Sequence, residues 1–295
     1  MNLRKLGGAL SASVLALATL GASIPAQARD AKVYAVTSWT AGCPGGARSW
    51  WDDMADAWYN EITDPGWSIF GWCVTGHCGD AYSRNGRRVD GNMVNSMFAD
   101  SSKVAWGNDT PNIDRADAAL VAWHGSESGN IYQGSMRVDE VGAGDCTLRR
   151  DEMSLGNNNL EFVHLSSCQS MDDNQWSTWW QAFNRLHQAN GFHGLMWIGS
   201  SRVDDYEDFA DDAFDDTIAN AWLDNLYVNN VSGSDDQCPV SYAVGANNSD
   251  MWNRIGVERY NHVLSDPATI GWWGVTYING CDPAGETVIG SDFAH

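Results

Sequence analysis

The chain has 295 residues, with 17 Lys and Arg against 38 Asp and Glu, a formal net charge of −21, and 43% hydrophobic residues. A surface this acidic repels nucleic acid and anionic membranes, so neither is expected as a partner. The length suits one large α/β domain better than two.

Arg4 and Lys5 precede an apolar stretch at residues 15–20, and Ala26-Gln27-Ala28 is a small-x-small cleavage site. Residues 1–28 therefore read as a secretory signal peptide, leaving 29–295 as the mature domain with fifteen basic residues against 38 acidic. No later apolar run approaches the roughly 20 residues that span a bilayer, so the exported chain is expected to be soluble.

Strands and helices alternate from there. Residues 33–37 form a first strand, and Trp50, Met54, Ala57, Trp58 and Ile62 mark one face of a helix. Residues 65–115 are rich in Gly and Asn and read as loop. Two apolar runs follow, Ala119-Leu120-Val121-Ala122-Trp123 ending at His124 and Leu160-Glu161-Phe162-Val163-His164-Leu165 leading to Cys168, with a turn at Gly142-Ala143-Gly144 between them. A helix with Trp176, Trp179, Trp180, Phe183 and Leu186 on one stripe is expected from a cap at Asp172 to Asn174, with Gly191 just past its end. A strand over 192–198 comes next. One long acidic helix then carries Ala210, Phe214, Ile218, Trp222 and Leu226 inward, and strands at 240–244 and 272–278 close the chain. The alternation predicts an α/β fold with a mostly parallel central sheet covered by helices. The sixteen Trp fall largely at helical spacing, which favours packing over stacking on carbohydrate.

Seven cysteines in an exported protein imply one left unpaired. Cys43, Cys73, Cys78, Cys146, Cys238 and Cys281 lie beside loop signals, where disulfides staple chains. Cys168 alone closes a buried strand and is the expected free thiol. The six others allow 15 pairings, and the sequence does not choose among them.

A His and a Cys ending successive apolar strands would be delivered to one edge of a parallel sheet, where α/β enzymes present reactive groups. Such a pair suggests a thiol nucleophile and its base. Either residue alone reads more simply as structural. Ser166, Ser167 and Gln169 add polar groups that an apolar core would not want, and Gly125 permits close backbone approach to a ligand. An activated thiol would make Cys168 alkylate rapidly near neutral pH, and more slowly in His124→Ala.

At these residues the sequence resembles the caspase/legumain/gingipain group of cysteine peptidases. His124-Gly125-Ser126-Glu127 is similar to the His-Gly-Ser stretch of legumains and gingipains. Cys168-Gln169-Ser170 is similar to the Cys-Glu/Gln-small segment of legumains and glycosylphosphatidylinositol transamidases. The likeness covers about 30 residues and the order of strands, with His before Cys, and departs from the group at Ser167, where Ala or Thr is commoner. It implies a caspase-like three-layer sandwich acting on polypeptides, with His124 and Cys168 as catalytic dyad and the backbone N–H groups of Gly125 and Cys168 as oxyanion hole. It also implies a specificity pocket built by loops at the same sheet edge. The loop carrying Ser200, Arg202, Asp204 and Asp205 is the expected lining: the aspartates would select Arg or Lys, Arg202 would select Asp or Asn, and the basic choice is preferred. The same aspartates would also cap the following helix.

No cofactor is expected. A zinc site joining Cys168 to His164, His187 or His193 lacks any paired ligand spacing. The acidic run from Asp204 to Asp216 offers oxygen donors for calcium but lacks the ordered D-x-D-x-D-G loop. Phosphate, dinucleotide and serine-hydrolase motifs are missing. The competing class is an exported, non-catalytic module of the same fold whose Trp-rich loops recognise glycan or protein.

Overall fold

The computed structural model describes residues 29–70, 72–140 and 145–289, so the expected signal peptide and the expected turn at Gly142-Ala143-Gly144 lie outside the described residues. In chain order the elements begin with β1 (Asp30–Ala35), α1 (Trp51–Ile62), the hairpin β2 (Trp67–Ile69) and β3 (Trp72–Thr75), and β4 (Ser83–Val89). Next come β5 (Ala118–Ala122), the small strands β6 (Gly125–Glu127), β7 (Tyr132–Ser135) and β8 (Thr147–Arg149), β9 (Phe162–Ser166), α2 (Trp176–Trp179) and β10 (Gln188–His193). The last part holds α3 (Val203–Asp215), α4 (Ile218–Leu226), β11 (Val228–Ser232), β12 (Asp235–Gly245), α5 (Asn248–Val257) and β13 (Trp272–Tyr277).

The main sheet runs β11-β12-β10-β9-β5-β1-β4, with β13 also paired to β12. The five strands from β10 to β4 are mutually parallel, and β12 turns antiparallel against β10. The fold is thus α/β with a large, mostly parallel central sheet. Side-chain alternation along the buried strands divides the core into two layers. Val33, Ala35, Leu120, Ala122, Phe162 and Phe192 face a layer containing Trp51, Trp58, Phe209 and Trp222 of α1, α3 and α4. Tyr34, Val121, Val163, Leu165 and Tyr242 face the other side, packed with Phe98, Trp123, Tyr132, Trp176 and Trp179. Long helices cover only the first face; short helical turns and the β6-β7-β8 sheet cover the second.

Several boundaries differ from expectation. β4, inside the expected loop of 65–115, is a polar strand on the sheet's edge that buries little and carries no alternation. The expected helix from Asp172 contracts to α2 between short 3-10 turns. Its carbonyls are taken from outside: Tyr242 Oη donates to Trp176 O, Arg150 to Thr178 O, and Leu155 N to Ala182 O. Gly191 lies inside β10, which ends at His193, so residues 195–198 are loop and not strand. The long acidic helix is two helices, because Thr217 turns extended and caps α4 by accepting from Asn220 N. The apolar stripe nevertheless runs unbroken across the joint, with Ala210, Phe214, Ile218, Trp222 and Leu226 all buried.

Three disulfides join Cys43 to Cys146, Cys73 to Cys78 and Cys238 to Cys281, and Cys168 is free. Such bonding fits an oxidising, extracellular type of compartment. Among the described residues no helix is long and apolar enough to cross a membrane.

Candidate active site

Register brings the two reactive residues together. β5 and β9 pair in parallel with Ala122 opposite Ser166, so His124 and Cys168 each lie two residues beyond a matched pair at the same sheet edge. Both line a cavity of about 470 Å³ together with Arg48, Trp51, Gly125 and the 195–198 loop. No hydrogen bond joins the two side chains; the Cys168 thiol lies 3.8 Å from the Met196 carbonyl.

The imidazole is held on three sides. Its centroid lies 4.7 Å from that of Trp39 and 4.8 Å from that of Trp51. Nε2 is 2.8 Å from the Gly46 carbonyl oxygen. A carbonyl only accepts, so that contact requires Nε2–H and leaves Nδ1 as the lone-pair nitrogen of the neutral ring. Gly46 reaches this position because Gly45 tolerates a close approach: at its φ of +154°, a Cβ would meet the Trp39 ring at 2.4 Å. The Cys43–Cys146 disulfide anchors this Pro44-Gly45-Gly46 loop to the layer beneath. Burial lowers the His124 pKa from its ordinary 6.5, the Gly46 contact opposing and the Arg48 charge assisting.

The cysteine loop is rigidly tied. Tyr132 Oη accepts from Trp123 Nε1 (2.6 Å) and donates to Ser167 Oγ (2.8 Å). Ser166 Oγ accepts from Tyr206 Oη at 2.7 Å, and Ser170 Oγ donates to Ser167 O and accepts from Phe192 N. The serines that looked out of place in the sequence are therefore satisfied structural groups. Gln169 has φ +52°, its N–H bonded to Gly194 O. Burial raises the Cys168 pKa above 9.0, with backbone groups of Met196 and Cys168 opposing. Both shifts, His124 down and Cys168 up, favour the uncharged forms of the pair over a thiolate–imidazolium ion pair.

Gly125 lines the cavity and also packs against the chain, as a Cβ there would lie 2.0 Å from Cys168 O. Its absent side chain lets the His124 and Cys168 segments touch. Ser135 N donates to His124 O, which makes 124/135 a hydrogen-bonded pair and the neighbouring Gly125/Gly134 pair the non-bonded kind. The Gly125 N–H is consequently turned away from β7, and the Cys168 N–H bonds to no other described residue.

Ser200, Arg202, Asp204 and Asp205 do not line this cavity. Arg202 pairs with Asp205 at 2.9 Å, and both aspartates occupy the first turn of α3. The wall is instead Leu195, Met196, Trp197 and Ile198, one loop segment earlier, and the charged side chain is Arg48. Sequence reasoning missed Trp39, Gly46, Arg48 and Trp51. The signal was present: β1 neighbours β5, so the Cys43-Pro44-Gly45-Gly46 turn after it leaves at the same edge.

His164, His187 and His193 are bonded elsewhere: His164 to Asn190 and Tyr260, His187 to Glu258 at 2.7 Å, and His193 to Asp172 and Thr287 O. None joins Cys168 as a zinc ligand. No curated protein matches the chain. A family model described as a domain of unknown function, DUF6345, matches residues 49–277, a span that contains both His124 and Cys168, and the chain belongs to that family.

Proposed function

We propose that this protein is an exported cysteine peptidase with a caspase-like fold and a His124/Cys168 dyad. The observation that carries the reading is the free thiol and the imidazole at register-matched ends of adjacent parallel strands, facing one cavity. The order of the two strands agrees with the resemblance to the caspase/legumain/gingipain group. When a peptide carbonyl enters, Nδ1 of His124 takes the thiol proton as Sγ forms its bond to the carbonyl carbon. The N–H groups of Gly125 and Cys168 stabilise the oxyanion. The imidazolium then protonates the leaving amine, the C–N bond breaks, and water hydrolyses the thioester.

The residue on the acyl side of the cut meets an apolar wall and the Arg48 guanidinium. We therefore favour an acidic or amide side chain there over the basic one expected from Asp204 and Asp205. A peptide-library digest tests the function: wild type cleaves, and both Cys168→Ala and His124→Ala lose at least about 10³-fold in kcat/KM. A wild type without cleavage overturns the proposal.

One observation favours a second reading, a non-catalytic binding module. Burial holds Cys168 as a thiol, while Trp67, Trp72, Trp180, Trp252 and Trp272 are exposed. Glycan or protein binding indifferent to Cys168→Ala, in the absence of cleavage, supports that reading.

A further inference from the structure

We propose that Glu61, His77 and Asp211 form a binding site for a divalent transition-metal ion, zinc fitting best. The three come from different elements: Glu61 from the last turn of α1, His77 from the loop closed by the Cys73–Cys78 disulfide, and Asp211 from α3. His77 Nε2 lies 3.1 Å from Glu61 Oε1 and 3.6 Å from Asp211 Oδ1, and the three donor atoms all lie within 4.8 Å of one another. Tetrahedral zinc with bonds of about 2.0–2.2 Å sets its ligand atoms roughly 3.3–3.6 Å apart, so the His77–Asp211 separation fits as it stands and the His77–Glu61 separation has to open slightly.

The imidazole is preset for this. Its ring stacks on Phe214 with centroids 3.6 Å apart and planes at 12°, its side chain is 7% exposed, and its backbone N–H donates to Asp64 O. Nε2 carries at most one proton for two carboxylates and cannot satisfy both well. An ion takes the place of that proton, which leaves to solvent, and bonds all three donors. A water completes the coordination on the side of Asp211, which is 64% exposed. Imidazole with carboxylates suits zinc, whereas calcium prefers oxygen alone. None of the three lines the Cys168 cavity, so the inference stands apart from the proposed peptidase chemistry. The bound ion would clamp the base of the β2-β3 hairpin, with its exposed Trp67, Phe70 and Trp72, onto the helical layer.

The test is titration calorimetry of the mature protein carrying Cys168→Ala, so that the thiol cannot compete, with zinc chloride and with calcium chloride as control. The expected result is one zinc per chain with proton release, little calcium binding, and affinity about tenfold or more weaker in His77→Ala and in Asp211→Asn. Asp211 is exposed, so its variant keeps the fold, as far-UV circular dichroism will check. Absence of zinc binding, equal affinity for calcium, or zinc binding unchanged in Asp211→Asn overturns the proposal.

Discussion

Gly125 is where a single atom decides the geometry of the site. Adding a Cβ forces it into the Cys168 carbonyl, and the backbone cannot yield without separating the ends of β5 and β9. Gly125→Ala should destabilise the protein by about 1–3 kcal/mol, the usual cost of overpacking, and reduce kcat/KM more than an equally destabilising change elsewhere. Thermal melts and kinetics on the same preparations check both parts. Charge state at the pair gives a second expectation. Because burial disfavours thiolate at Cys168 and imidazolium at His124, iodoacetamide labelling of the substrate-free protein should rise with a midpoint above pH 9.0. The acid limb of kcat/KM should fall below pH 6.5, since a lowered His124 pKa keeps the base unprotonated further into acid. A preformed ion pair would instead label fully below neutral pH.

Among the elements, the Pro44-Gly45-Gly46 loop reaches furthest into function. Its carbonyl fixes the His124 tautomer, and the Cys43–Cys146 bond fixes the loop. Replacing both cysteines by Ser should cost about 2–5 kcal/mol in a denaturant titration. It should also lower kcat under conditions where circular dichroism remains native, while Cys238→Ser with Cys281→Ser should spare kcat. β5 and β9 were legible because strands buried on both faces are largely apolar, and each ends two residues before a reactive side chain. The identity of the free cysteine was legible for the same reason. β4 was not, because an edge strand reading Ser-Arg-Asn-Gly-Arg-Arg-Val has no apolar alternation and is held by backbone pairing to β1 and by polar contacts such as Arg87 with Asp56 and Arg84 with Asn60. The helix expected from Asp172 failed because tertiary partners claimed its carbonyls. The single long acidic helix failed because its four-residue spacing persisted through the extended Asp216-Thr217 joint between α3 and α4. The 195–198 wall was hidden because the same apolar run that suggests a strand also serves as a cavity lining.

The whole molecule is acidic, and several of its carboxyls are buried with it. Burial, with Asp114 and Asp100 nearby, raises Asp109 to about 7; burial, with Asp117, raises Glu161 to about 8. Unfolded carboxyls titrate near pH 4, so the native state holds extra protons above that value and loses this stabilisation as pH climbs through the folded pKa values. His193 acts in the same direction, burial being outweighed by its bond to Asp172. Buried His164, lowered to about 3, opposes this trend only below about pH 6.5, and Lys32, lowered to about 8, opposes it only above that value. The melting temperature should therefore fall between pH 6.5 and pH 8, and a flat or rising profile in scanning calorimetry would contradict the burial of these carboxyls.

Mass spectrometry of the protein quenched in acid during turnover of a cleavable peptide tests the peptidase account most directly. The account predicts an acyl group on Cys168, formed in wild type and missing in His124→Ala. Turnover with no acyl group on Cys168, or an adduct formed equally without His124, would contradict it.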